Sequence, residues 1–92
     1  MISWSATIHA AGRCAVCGRQ GTLEAHHIIH RNRRATREAP ENGILLCPEH
    51  HRGKQSAHNT PRWFADWLAE NRPEQAAWVA RNRWAKIIKN NP

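Results

Sequence analysis

The sequence predicts a small α+β domain in which a short β-hairpin is flanked by helices. Two apolar, β-branched segments, residues 23–29 and 44–46, have the composition of strands. Between them, residues 30–43 are polar and arginine-rich and are interrupted by Pro40 and Gly43, so this stretch is predicted to be a loop. With 92 residues, the chain has the size of one domain.

Helices are predicted on both sides of this hairpin. Residues 3–11 have helical spacing of apolar side chains and are followed by Gly12, a residue typical of helix ends. Residues 48–57 begin with a proline, which suits the first helical position, and Pro61 and Pro73 start two more helices in the same way. The last two helices carry Trp63, Phe64, Trp67, Leu68, Trp78, Trp84, Ile87 and Ile88. The helical spacing of the tryptophans favours core packing over base stacking.

The composition indicates a basic protein with a polyanionic partner. Lys and Arg number 14 against seven Asp and Glu, which gives a net charge of +7. This balance suits nucleic acid, because each neutralised phosphate releases counterions, although a merely soluble basic protein is the alternative. No segment reaches the roughly 18 apolar residues of a membrane span, and no signal-peptide pattern is present, so we expect no membrane association and a cytoplasmic location.

Three cysteines and one histidine form two candidate pairs of metal ligands. Cys14 and Cys17 have two residues between them, and so have Cys47 and His50. Three thiolates and one imidazole suit a tetrahedral zinc ion, and four protein ligands leave no position for substrate, so the site would be structural. A disulfide framework is a poor alternative with three cysteines, whereas buried cysteines with this spacing by chance remain one.

A second set of polar residues lies between and beside these pairs. His26 and His27 are in the first predicted strand, Asn42 is in the loop, and His51 is in the first turn of the next helix. With the flanking cysteine pairs, this ordered set resembles the HNH endonuclease family, which includes the nuclease domains of DNase colicins and many phage and homing endonucleases. The resemblance covers residues 14–51. The alternative is that these histidines are ordinary surface or core residues.

The resemblance implies a role for each of these residues. His27 would be the general base, His26 and His51 would bind a catalytic divalent cation (Mg²⁺, Mn²⁺, Ni²⁺ or Zn²⁺), and Asn42 would fix the loop and orient the base. Histidine suits proton abstraction because its unperturbed pKa is near 6.5. Adjacent side chains of a regular strand point to opposite faces, so His26 and His27 are expected to converge on one phosphate only if the strand bends.

The family often has a further metal-binding histidine one helical turn after His51, where this chain has Gln55. His58 is the nearest substitute, but on a straight helix it lies about 10 Å from His51 along the axis. Two nitrogens on one metal lie within roughly 4 Å of each other. His58 is therefore a third ligand only if the helix ends early, which Gly53 and Asn59 permit.

The loop between the proposed base and Asn42 carries four arginines, Arg31, Arg33, Arg34 and Arg37. Guanidinium groups bind phosphate oxygens bidentately, so we expect DNA contacts here; a solvated loop is the alternative. Phosphate contacts do not read sequence, and specificity is expected to be weak.

The implied architecture is a single domain, residues 1–92. A ββα-metal core with a structural zinc knuckle occupies residues 14–58, and a helical extension occupies residues 60–90. The implied protein is a metal-dependent DNA endonuclease of a bacterial or phage-infected cell, which nicks one strand as a monomer or weak homodimer. A structure-specific recombination nuclease and a non-catalytic, zinc-stabilised DNA-binding module are the alternatives.

Overall fold

The computed structural model describes residues 2–83 of the chain. The elements, in chain order, are helix α1 (Trp4–His9), strand β1 (Glu24–His27), a 3₁₀ turn (Pro40–Asn42), strand β2 (Gly43–Leu46) and helices α2 (Pro48–Arg52), α3 (Pro61–Asn71) and α4 (Pro73–Arg83). This part of the chain therefore has the small α+β architecture that the sequence predicts. Trp84, Ile87 and Ile88, which were assigned to the end of the last helix, lie outside the described residues.

The two strands form an antiparallel hairpin in which the first strand is shorter than predicted and the second begins one residue earlier, at Gly43. Glu24 lies opposite Leu46, and His27 lies opposite Gly43. The first strand was predicted to continue to residue 29, but the backbone N–H and C=O of Ile29 are bonded to the side chain of Asn42 instead of to a strand. Pairing between the strands therefore ends where hydrogen bonds to the side-chain amide of Asn42 replace those between the strands.

The two faces of the hairpin are covered by different helices. Helix α1 packs on the face of Gly43, where an added Cβ would overlap the Ile8 side chain, so the glycine lets the helix approach closely. Ile44 and Leu46, which alternate with Gly43 along β2, belong to the main core. This core contains the buried residues Cys14, Ile29, Ile44, Leu46, Cys47, Ala57, Phe64, Leu68 and Val79.

Helix α1 is shorter than the predicted helix over residues 3–11. Ser3 caps its first turn, with its hydroxyl oxygen accepting from Ala6 N at 3.1 Å. The helix ends at His9, and the chain leaves it through turns that lead to Gly12 at φ +79°. Gly12 therefore lies beyond the cap, in a left-handed conformation that favours glycine.

Helix α2 ends at Arg52, five residues before the predicted end at residue 57. The amide of Asn59 donates to the carbonyl oxygens of both Arg52 and Gly53 at 2.8 Å, and the Ser56 hydroxyl donates to Gly53 O at 2.8 Å. These side chains satisfy the last carbonyls, which would otherwise need further helical N–H groups.

Helices α3 and α4 begin at Pro61 and Pro73, as the sequence predicts, and they pack against each other. Their tryptophans Trp63, Trp67 and Trp78 are partly buried against the core. Among residues 2–83, no helix is both long and apolar enough to cross a membrane.

Candidate functional site

The four predicted ligands of a structural zinc come together in the fold. The ligand atoms of Cys14, Cys17, Cys47 and His50 all lie within 4.8 Å of one another. The sulfurs of Cys17 and Cys47 are 3.9 Å apart, and His50 Nδ1 is 3.4 Å from the Cys47 sulfur and 3.9 Å from that of Cys14. A tetrahedral zinc with Zn–S bonds of about 2.3 Å places two sulfurs about 3.8 Å apart. The cluster is thus compatible with structural zinc.

Backbone hydrogen bonds shape the first cysteine pair into a knuckle and attach it to the hairpin. Gly18 N donates to Cys14 O at 2.8 Å, and Cys14 N donates to Arg19 O at 2.9 Å. Gly18 adopts φ +78°, which an L side chain rarely does. Ala15 N donates to Leu45 O on strand β2 at 2.9 Å, so the knuckle is held beside the start of α2.

The electrostatics of the buried thiols also suit a cation. Burial opposes ionisation of Cys14, but hydrogen bonds from the backbone of Cys47, Cys17 and Val16 outweigh it and lower the pKa of Cys14 to about 6. Burial raises the pKa of Cys47. Metal binding requires the thiolate form. This form is favoured at Cys14, whereas at Cys47 a bound cation is needed to stabilise it.

Three histidines form a second cluster on the core side of the hairpin. Ligand atoms of His26, His51 and His58 lie within 4.8 Å of one another, and the Nε2 atoms of His51 and His58 are 3.1 Å apart. Two nitrogens bonded to one metal at about 2.1 Å have a similar separation. Burial and the neighbouring His51 and His58 lower the pKa of His26 to about 3. Burial likewise lowers the pKa of His58, so the neutral form that binds metals is favoured.

The turn after α2 brings His58 into this cluster. Ala57 N donates to His50 O at 2.9 Å, and His58 N donates to His51 O at 3.2 Å, so the chain folds back over the helix it has just left. The early end of α2, which the sequence named as the condition for His58, is therefore met. Gln55 is exposed in this turn.

Glu24 fixes the orientation of His51, and sequence reasoning missed it. His51 Nδ1 donates to Glu24 Oε1 at 2.6 Å, and Arg52 Nη2 donates to Glu24 Oε2 at 2.6 Å. The bond from His51 is the main cause that lowers the pKa of Glu24. With Nδ1 carrying the proton, Nε2 of His51 keeps its lone pair for a cation, as in many carboxylate–histidine–metal sites. Glu24 precedes His26 by two residues in the same strand, and this period of two could have revealed it.

His27 lies on the opposite face of the strand, against α1. Its ring is stacked on Trp4, with centroids 3.7 Å apart and planes 9° from parallel, whereas the ring of His26 contacts Phe64 edge-on. His27 Nε2 is 2.9 Å from Arg37 O. A carbonyl only accepts, so Nε2 donates and Nδ1 keeps the lone pair.

The strand does not bend to bring the two histidines together. His26 and His27 keep regular pairing opposite Ile44 and Gly43, so the bend that was the condition for their convergence is absent. Both nevertheless line one cleft of about 310 Å³ at the end of the strand, together with His51 and His58. The two histidines therefore reach the same cleft although they lie on opposite faces of a regular strand.

Asn42 is completely buried, and within residues 2–83 its side chain bonds only to backbone groups of the loop. Its Oδ1 accepts from Ile29 N at 2.6 Å, and its Nδ2 donates to Ile29 O at 3.0 Å and to Thr36 O at 3.1 Å. Thr36 is adjacent in sequence to Arg37, whose carbonyl meets His27. Asn42 thus fixes the loop directly and reaches His27 only through it.

The four arginines of the loop have different environments. Arg31, Arg34 and Arg37 are exposed, and Arg31 lines the histidine cleft. Nη1 of Arg33 instead donates to the carbonyl oxygens of Asn82 and Arg83, at 3.0 and 2.6 Å. Arg33 therefore binds the last turn of α4, a favourable place for a cation.

Comparison with protein families gives one finding. A family model described as HNH endonuclease matches residues 14–53. Neither curated proteins nor solved structures give a significant match to the chain. The matched segment contains the cysteine knuckle, the hairpin and α2, and it excludes α1, His58, α3 and α4.

Proposed function

We propose that the chain is a metal-dependent nuclease that hydrolyses phosphodiester bonds of DNA, because a family model described as HNH endonuclease matches residues 14–53. One juxtaposition supports this function above all others. The imidazole cluster of His26, His51 and His58 and the separately held His27 line the same cleft. A metal-binding group and a proton acceptor beside one cleft are what hydrolysis of a phosphodiester requires.

The cluster of His26, His51 and His58 would hold the catalytic divalent cation, one of Mg²⁺, Mn²⁺, Ni²⁺ or Zn²⁺. Glu24 keeps His51 in the tautomer that presents Nε2 to the cluster. When bound, such a cation neutralises charge on the scissile phosphate and on the departing oxygen.

His27 is the proposed general base. Its bond to Arg37 O commits Nε2 as a donor, so Nδ1 takes the proton of the attacking water in this conformation. As that proton moves to His27, the water oxygen forms a bond to phosphorus, the bond from phosphorus to O3′ breaks, and the departing O3′ takes a proton from solvent. By analogy with the HNH endonucleases, the products carry a 5′-phosphate and a 3′-hydroxyl.

The cluster of Cys14, Cys17, Cys47 and His50 is the proposed structural zinc site of a ββα-metal core. Structural zinc contributes on the order of 10–16 kcal/mol in small domains. Folding of the hairpin and α2 would then depend on zinc, because both ligand pairs are next to these elements.

The exposed arginines Arg31, Arg34 and Arg37 are the proposed phosphate contacts. They lie in a chain of net charge +7, and Arg31 lines the cleft itself. Contacts of this type position DNA without reading its bases, so we propose weak sequence specificity. The part of the chain that the structure describes holds one cluster of three histidines, so a monomer or weak homodimer would nick one strand, in the cytoplasm of a bacterial or phage-infected cell.

A plasmid-nicking assay tests the proposal. Supercoiled plasmid is incubated with purified protein and Mg²⁺, Mn²⁺ or Ni²⁺, and we expect the open-circular form with at least one cation. His27→Ala should lower the rate at least about 10²-fold, the usual contribution of a positioned base. His9→Ala, which removes an exposed histidine of α1, is the matched control and should cut like the parent. If the zinc-loaded parent binds DNA but cuts with none of the three cations, the chain is a non-catalytic DNA-binding module.

A further inference from the structure

We propose that Trp4, in helix α1 and outside the matched residues 14–53, is a positioning residue that fixes the imidazole of His27 for catalysis. This inference rests on the proposed function of His27. Trp4 acts through His27 and through the loop that both residues contact.

The first support is the geometry of the ring pair. The indole of Trp4 and the imidazole of His27 lie face to face, with centroids 3.7 Å apart and an interplanar angle of 9°. At this distance no water fits between the rings. Rotation of the imidazole about its Cβ–Cγ bond would drive its edge into the indole, so the stack restricts His27 to one plane.

The second support is that both rings bond to the same short stretch of backbone. Trp4 Nε1 donates to Ala39 O at 3.0 Å, and His27 Nε2 donates to Arg37 O at 2.9 Å. The plane of the imidazole and the direction of its Nε2–H are therefore set together. Asn42 holds this stretch from the inside, through its bond to Thr36 O.

The third support is that the hairpin leaves space for α1 directly beside His27. Gly43 lies directly opposite His27, and an added Cβ there would lie 2.8 Å from Cζ2 of Trp4. Ile8, the buried residue of α1, packs over the same glycine. The helix is thus anchored by Ile8, while Trp4 reaches the proposed base.

Two substitutions of Trp4 and one of Val79 separate positioning from simple packing. Trp4→Leu removes the stack, Trp4→Phe keeps an aromatic face but loses the bond to Ala39 O, and Val79→Ala leaves a cavity in the main core, to which no residue of α1 belongs. We expect Trp4→Leu to lower kcat roughly 10- to 100-fold with KM nearly unchanged, because a misplaced base affects the chemical step. Trp4→Phe should keep most of the parental kcat. Val79→Ala should lower the melting temperature but keep kcat when assayed well below it.

A double-mutant cycle tests whether Trp4 acts through His27. In a His27→Ala background, Trp4→Leu should have no further effect on the residual rate, because the group that it positions is absent. A loss of activity in the double variant equal to the sum of the losses in the two single variants, in free-energy terms, would overturn the inference. So would a parental kcat in Trp4→Leu, or an equal fall of kcat in Val79→Ala.

An NMR measurement distinguishes failure of this inference from failure of the proposed function. The indole ring current should shift the ring protons of His27 upfield, and the shift should vanish in Trp4→Leu; the His27→Ala spectrum assigns the signals. If the parent protein cuts DNA but its spectrum lacks this shift, the stack is refuted and the nuclease function is not. A parent that shows the shift but cuts no DNA refutes the nuclease function and, with it, the catalytic consequence of the stack.

Discussion

Replacing Asn42 by alanine should destabilise the fold more than any exposed polar substitution. The side chain is fully buried and makes three hydrogen bonds to backbone groups of Ile29 and Thr36, both of which are buried. A net contribution of about 1 kcal/mol for each bond gives a loss of about 3 kcal/mol, and more if the backbone groups stay unsatisfied. This is a large share of the roughly 5–15 kcal/mol that stabilises a typical domain.

The measurement is the urea midpoint and melting temperature of the zinc-loaded protein. A loss of about 3 kcal/mol corresponds to a fall of roughly 12–24 °C for a domain of this size. Asn71→Ala is the matched control, because its amide makes one exposed bond, to Trp67 O; its effect should stay within about 0.5 kcal/mol. An Asn42→Ala protein that melts within a few degrees of the parent would show that water satisfies these groups and that the bonds do not hold the loop.

Three further perturbations test separate parts of the site. Chelation of zinc, or Cys17→Ser, should unfold the domain, since loss of structural zinc removes on the order of 10 kcal/mol; elemental analysis without zinc, or unchanged melting after chelation, contradicts this. Glu24→Gln should weaken binding of Mn²⁺ at the histidine cluster about 10- to 100-fold, as seen by calorimetry, while the zinc content stays at the parental level. An equal Mn²⁺ affinity would mean that His51 needs no carboxylate. Arg34→Ala should reduce the slope of log affinity against log salt by about one unit, whereas Arg33→Ala should chiefly lower the melting temperature, because its guanidinium binds the end of α4. Identical slopes for the two variants would refute this division.

The cluster of three cysteines and His50 and the starts of α2, α3 and α4 follow from the sequence alone. Paired ligands with two intervening residues are a local pattern, and a proline at the first helical position marks α2, α3 and α4. The chemistry at these positions does not depend on the rest of the fold. Local signals of this kind predict the structure well.

Features that depend on side chains closing onto distant backbone groups were not predictable in this way. The end of β1 depends on the amide of Asn42, 13 residues after Ile29, and Arg33 binds carbonyls about 50 residues later in the chain. The stack of Trp4 on His27 joins a helix to a strand across 23 positions. The periodicity of apolar residues in the sequence does not indicate such contacts, because each contact depends on how whole elements pack.

Helix α2 has a consequence for the order in which the two clusters acquire metal. Its adjacent residues His50 and His51 belong to different clusters, the first to the cysteines and the second to the histidines. With only the five residues of Pro48–Arg52, this helix is too short to be stable alone. Zinc bound at the cysteine cluster, as proposed, would therefore pre-organise His51, and the two affinities would be thermodynamically linked. Loading is then expected to be sequential, with the proposed catalytic cation bound tightly only by chains that already hold zinc.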